Sequence, residues 1–488
     1  MKLKALNLAI ISSIFLTSCG GGVTNSAIKS VEPLEHDVSK MKLVLETNAD
    51  IAFASYSDSV DTLKILKTAI ADLKANPTEK TLNQAKKAWL VSREPYGQTE
   101  VYRFRLSPID STDYKSEDGP EGHINAWPLG EALIDYTQSG TDFGDDELGV
   151  TEHKTAVNNG KPIKVSNLDD NIISNNLIKI DKNLLAKTVS SEDEHDVLAG
   201  YHAIEFMLWG QDLNNNASAD TQGNRQQAIK VFGGKNTAMG GQRPVTDFIS
   251  KTNGDAASRR LQYLEVVVDK LIADLEVVRD AWAKNTTSNY RRQFTGIVTL
   301  EQAKQRFAEI LTGMGTLSEG ELAGERMQIA LSSDSQEDEH SCFSDNTHRD
   351  IWLNAQGVSN VYYGDYAGYS ADLDGKPNAG NKIKGYGFDD YLKDIKQTNL
   401  AIKLESQLKV TELGYKAIDT LARNGSPVDV MIQSPMQAVA KPMRDTIVSL
   451  NQQSAYIAKL AKNMGISNSV IDADASACDT TNPTKLCD

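Results

Sequence analysis

Between Leu261 and Trp282 the apolar residues Leu261, Leu264, Val268, Leu271, Leu275, Val278 and Trp282 recur at alternating spacings of three and four. An α-helix turns once in about 3.6 residues, so this pattern draws one apolar seam down one side of a helix. Such a seam has to be covered by other helices. Nowhere does the chain sustain the apolar/polar alternation, bounded by turn residues, that marks a half-buried strand. The expected fold class is all-α. At 488 residues the chain exceeds what one hydrophobic core usually organises, so two helical-bundle domains are expected.

Punctuation along the chain supplies the boundaries. Residues 34–75 read as helical, and Asn76-Pro77 breaks the run. Thr78 is placed to cap a second helix reaching about Phe104, with a kink at Pro95. Residues 105–126 read as loop, and Trp127-Pro128 opens a short helix through Glu131 and Asp135 to Tyr136. Residues 137–176 form a polar surface excursion. Ser191 and Glu194 make a capping box that should start a helix ending near Gly210. Asn285 to Phe294 is the expected domain junction. Thr299 and Gln302 then cap the next helix, residues 357–386 read as a Gly- and Tyr-rich loop, and 387–463 as helical. The expected division is a signal peptide at 1–18, a tether at 19–33, bundles at 34–288 and 289–465, and a mobile tail at 466–488.

The N-terminus carries Lys2 and Lys4, an apolar run from Leu6 to Phe15, and then Leu16-Thr17-Ser18-Cys19-Gly20. That order predicts a bacterial lipoprotein signal, with Cys19 lipidated and serving as the membrane anchor. Gly20, rather than Asp, after the cysteine points to the outer membrane. The formal charge of −15, from 66 acidic and 51 basic residues, argues against nucleic acid as a partner. Cys478 and Cys487 lie close enough in sequence to close a small loop in an oxidising compartment, and Cys342 reads as a buried apolar thiol.

Chemistry concentrates in three stretches. Gly200-Tyr201-His202-Ala203-Ile204-Glu205-Phe206-Met207-Leu208-Trp209 sets one imidazole and one carboxylate, three apart, into an apolar helix. Buried polar groups of this kind need a bonding partner or a metal. Arg93, Tyr96, Glu100 and Arg103 form a polar stripe in the earlier helix. Glu337-x-x-His340 and Asp345-x-x-His348 repeat carboxylate–histidine spacing in the second half, with Ser344 placed as an N-cap. Imidazole with carboxylate suits iron, manganese or zinc. The candidate metal ligands are His202, Glu205, Glu100 and Asp135. The candidate ligand-binding residues are Arg93, Tyr96, Glu337, His340, Ser344, Asp345 and His348. There is no His-Glu-x-x-His helix, phosphate-binding glycine loop or Gly-x-Ser-x-Gly elbow, and no residue is assigned a catalytic role.

Gly200-Tyr201-His202-Ala203-Ile204-Glu205 resembles the Gly-x-His-x-x-Glu signature of the imelysin family. Arg93-Glu94-Pro95-Tyr96-Gly97-Gln98-Thr99-Glu100, Ala126-Trp127-Pro128-Leu129 with Asp135-Tyr136, and Gln336 through His348 match the same family. The last stretch is similar to its iron-regulated lipoproteins. The resemblance implies an imelysin-like pair of helical bundles with a functional site near their junction. It also implies a cell-envelope protein of iron acquisition that binds a divalent or ferric metal ion or an iron-containing ligand, iron before zinc, and works with an outer-membrane iron transporter. Two alternatives stand beside it: a metallopeptidase, as the family was first named, and a module binding a non-metal ligand or protein.

Overall fold

Asp37 ends the leading segment by accepting the backbone N–H groups of Ser39 and Lys40, and helix α1 follows over Val38–Ala75. The computed structural model describes residues 35–136, 153–158, 161–165, 171–185, 197–212, 240–241, 243–333, 338–432, 436, 438–466, 478–485 and 487. The lipoprotein signal with Cys19, the Ser191 capping box and Glu337 lie outside them.

The long helices that follow are α2 (Glu79–Gly97), α3 (Tyr201–Trp209), α4 (Ser250–Ala281), α5 (Leu300–Thr316), α6 (Thr347–Tyr363), α7 (Thr398–Arg423) and α8 (Lys441–Asn463). Between α5 and α6 the chain continues in wide π-helical turns over Leu317–Ile329. Strand content among the described residues is confined to two small antiparallel hairpins. One pairs β1 (His153–Asn158) with β2 (Lys161–Val165), and the other pairs β3 (Asp365–Tyr366) with β4 (Ile383–Lys384). The fold is all-α, a helical bundle.

The seam that opens the sequence reading is buried as expected: Leu264, Val268, Leu271, Leu275, Val278 and Trp282 have no solvent exposure. It packs on α1, whose Leu45, Tyr56, Val60, Leu63, Leu66 and Ile70 are equally covered. α2 also packs on α1, while α7, α8 and the π-helical segment form the second group of helices. α6 joins the groups by lying against both α2 and α7. Trp282, at the end of α4, packs with Tyr290 and Phe294 of the expected junction in a buried aromatic cluster. No described helix is long and apolar enough to cross a membrane.

Several boundaries differ from the sequence reading, each for a local reason. α2 stops at Gly97, and Glu100–Tyr102 forms a separate 3₁₀ turn. Pro95 removes a helical donor there, and a side chain on Gly97 would meet the Cβ of Leu353 at 2.7 Å. α3 begins only at Tyr201, because Gly200 takes φ +92° in a spot where a Cβ would lie 2.4 Å from the Ile124 carbonyl. α6 runs on through Gly357 to Tyr363, where a loop was expected. Without a side chain, Gly357 lets the helix lie against the Gln98 carbonyl. The end of the chain is tied down: Cys478 and Cys487 form a disulfide, and the Gln328 amide donates to the carbonyls of Asp479 and Lys485.

Candidate functional site

α2 and α3 bring the first set of polar side chains together. The Trp89 indole N–H donates to the Tyr201 carbonyl at 2.9 Å, and the Arg93 guanidinium lies 4.8 Å from the Tyr201 ring centre and 5.4 Å from that of Tyr96. This packing places His202 and Glu205 on a side of α3 with no solvent exposure at all.

Helical spacing then sets the pair itself. His202 Nδ1 lies 2.9 Å from Glu205 Oε2. The other carboxylate oxygen, Oε1, accepts both the Ser344 backbone N–H at 3.0 Å and the Ser344 hydroxyl at 2.6 Å. Ser344 is therefore not a helix cap; Asn346 occupies the position before α6. Glu205 thus holds the imidazole with Oε2 while Ser344 fixes Oε1, as carboxylates behind metal-binding histidines are themselves held. His202 Nε2 is buried and has no hydrogen-bond partner. The Trp127 and His340 rings meet that imidazole edge-on at 4.9 and 4.8 Å.

His340 comes from the second half and is held by the first. Arg93 Nη2 and Asn125 Nδ2 approach its Nε2 at 3.3 and 3.4 Å. Both of those groups are donors, so Nε2 is the accepting nitrogen and the ring is neutral. Arg93 also donates to Asp350 at 3.0 Å and to the Asn125 carbonyl oxygen at 2.5 Å. Asp350 accepts the Ser341 hydroxyl on its other oxygen. Beside this, Arg349 and Glu94 pair through two bonds of 2.9 and 3.0 Å. The two halves of the chain thus meet through buried, charge-assisted pairs around His202.

Burial dominates the titration of the site. It pushes the His202 imidazole well below its usual range, helped by Arg93 and Arg326, and does the same to His340 with Arg326, His202 and Arg93. Glu205 is pushed well above the carboxylate range by burial, against the opposing pull of Ser344. The pair accordingly favours neutral imidazole and a protonated carboxyl.

Of the expected ligands, only His202 and Glu205 come together in this way. The Glu100 carboxylate is taken by Arg103 and Arg326, each at 3.2 Å, and by Asn125. Burial would raise its pKa, but Arg103, Arg326 and Arg93 hold it below the usual range. Asp135 lies in a separate clamp: Arg260 holds both oxygens at 2.7 and 3.0 Å, and Arg243 adds a third bond at 2.5 Å. His202, Glu205, Glu100 and Asp135 therefore do not converge as four ligands of one ion. The helical Asp345-x-x-His348 pair is not formed either. Asp345 sits in a left-handed turn at φ +56° outside α6, and His348 Nδ1 contacts the Asp345 backbone carbonyl at 3.0 Å. Tyr96 is buried against the Tyr201 ring at 4.7 Å.

Among the described residues, one group of three acidic, histidine or cysteine side chains has its ligand atoms within reach of a single ion: Asp212, Asp345 and Asp429, mutually within 4.8 Å and all buried. Sequence reasoning missed Asp212 and Asp429, as well as Asp350 and Asn125. Asn125 directly precedes the Trp127-Pro128 motif and Asp212 lies two residues past the Gly210 helix stop, so both had a positional signal. Asp429, in the short helix Val428–Ile432, had none.

A family model described as imelysin, peptidase M75, matches residues 52–460. The chain belongs to the imelysin family. Two solved structures share the fold. One, from Parabacteroides distasonis ATCC 8503 and provisionally described as an iron-regulated protein A precursor, has a TM-score of 0.53 and 16% identity, with 90% of this chain and 96% of that one covered. The other is an imelysin-like protein from Psychrobacter arcticus 273-4, with a TM-score of 0.50 and 14% identity over 89% and 99% of the two chains. No curated protein matches significantly. The expected family and fold class are both borne out.

Proposed function

We propose that this imelysin is an envelope lipoprotein of iron acquisition that holds an iron-containing ligand at His202, where side chains from both halves of the chain meet. The observation carrying this reading is the His202 Nε2 atom, fully buried and without a partner, on an imidazole fixed from behind by Glu205 and Ser344. An unpaired buried nitrogen is costly, and an incoming metal would relieve that cost. One protein nitrogen rather than a complete ligand set suits iron that arrives with ligands of its own. Zinc is the second choice for an imidazole donor. The similarity to a chain described as an iron-regulated protein supports the link to iron.

The outer-membrane anchor at Cys19 and an outer-membrane iron transporter as partner belong to the same proposal. Cys19→Ser should move the protein from the membrane fraction to the soluble one; continued membrane retention would overturn the anchor. For the site, calorimetric titration with ferrous iron and with ferric citrate should give one binding event in the wild type. His202→Ala should abolish it, and Glu205→Ala should weaken it, with helical circular dichroism retained in both. Binding should release a proton from the His202–Glu205 pair and so tighten as pH rises.

A further inference from the structure

Three segments far apart in sequence end their side chains at one point beside the His202 site. Asp212 follows the Gly210 stop of α3, Asp345 occupies the left-handed turn before α6, and Asp429 lies in the short helix Val428–Ile432. One carboxylate oxygen from each falls within 4.8 Å of the other two. Asp345 is 2% exposed, and neither of its carboxylate oxygens has a hydrogen-bond partner. The charges weighing most on it are all negative: Asp429, Asp212, Glu339 and Glu205.

Native proteins rarely bury a carboxylate with no donor on either oxygen. Four other buried acids of this chain, Asp135, Glu100, Glu94 and Asp350, meet that rule through arginine partners. Asp345 breaks it, and the negative charges around it favour a cation there. The donors are all oxygens, with no imidazole or thiolate among them, which selects hard ions over soft ones.

We propose that Asp212, Asp345 and Asp429 form a binding site for a hard divalent cation of the calcium, manganese or magnesium type, distinct from the iron site at His202. The ion would staple the end of α3 to the turn before α6 and to the Val428–Ile432 helix. That turn also carries Ser344, the residue holding Glu205, so the cation would steady the support of His202 as well.

The test uses the full protein after exhaustive chelation, titrated calorimetrically with Ca²⁺, Mn²⁺ and Mg²⁺ and followed by thermal melting. At least one of these ions should bind with a stoichiometry of one and raise the Tm. Asp345→Asn should weaken that binding at least ten-fold, yet the chelated variant should melt no lower than the chelated wild type, because the substitution removes a buried repulsion. His202→Ala should leave the divalent-cation isotherm unchanged whether or not its iron binding survives, which separates this proposal from the previous one. The proposal is overturned if none of the three ions binds the chelated wild type up to millimolar concentration, or if Asp345→Asn binds as tightly as the wild type.

Discussion

Asp135 and Asp345 are both aspartates buried in a helical protein, and their surroundings are opposite. Asp135 accepts bonds from two arginines, Arg243 and Arg260, which outweigh the effect of burial and hold its carboxyl below the usual range. Asp345 faces other carboxylates, and burial together with Asp429, Asp212 and Glu339 pushes it well above that range. The first site is complete within the chain. The second is complete only with a proton or a cation. The difference separates a carboxylate neutralised by arginines from one set among other carboxylates, and sequence spacing alone does not make that distinction.

Removing the paired acid should have the largest effect. Asp135→Ala leaves buried Arg260 without a carboxylate and Arg243 with Asp247 alone at 3.2 Å, at a cost of about 3–5 kcal/mol, readable as a fall in denaturation midpoint. A loss below about 1 kcal/mol would show that the clamp is not the closed unit described.

Acid should act next, through His348. Burial foremost, with Arg423 and Arg349, lowers its pKa from 6.5 to about 4, against the raising influence of Asp419. The unfolded chain therefore takes up a proton near pH 6.5 and the folded protein only near 4. Stability should fall as pH drops through that window, by on the order of 3 kcal/mol from this residue. His202 and His340 add losses of the same sign, so His348→Gln should reduce the slope between pH 6.5 and 4 without abolishing it; an unchanged slope would remove His348 as a source. Asp135 behaves as a depressed acid, so its stabilisation is present above the unfolded carboxylate pKa and is lost only as pH falls through its lower folded value. Asp345 has the reverse sign: its burial costs nothing in acid and costs more as pH rises from the unfolded pKa towards the folded one.

A smaller effect is expected where the backbones of α2 and α6 touch. Gly357→Ala would place a methyl group 2.5 Å from the Gln98 carbonyl, costing about 1–3 kcal/mol by overpacking. The smallest belongs to exposed ion pairs. Lys64 and Glu276 link α1 and α4 at 2.9 Å, with about half of the Lys64 side chain in solvent, and Lys64→Ala should shift stability by no more than about 0.5 kcal/mol.

Three helices were legible from a seam or a cap. The Leu261–Trp282 seam, the Thr78 cap and the Thr299/Gln302 box all stand where the residues place them. The site was legible in part: His202 and Glu205 do pair, Ser344 and His340 reach them from another element, and Arg93 reaches His340. What the sequence could not show is which oxygen each arginine takes. Arg93 goes to Asp350 rather than Glu205, and Asp135 is claimed by Arg243 and Arg260, partners 108 and 125 residues away. Pairings of that range depend on the packing of α2, α4 and α6, which local spacing does not encode. The Asp212–Asp345–Asp429 cluster was hidden for the same reason, with its members on three separate segments.

His202 Nε2, fully buried and steadied from behind by Glu205 and Ser344, is the proposed iron donor once the pair gives up its proton. Iron titration of the wild type and His202→Ala, with bound iron quantified after desalting, tests it most directly. The account predicts one equivalent of iron on the wild type and at least a hundred-fold weaker binding in the variant at equal helical content. Equal iron retention by the two proteins would contradict it.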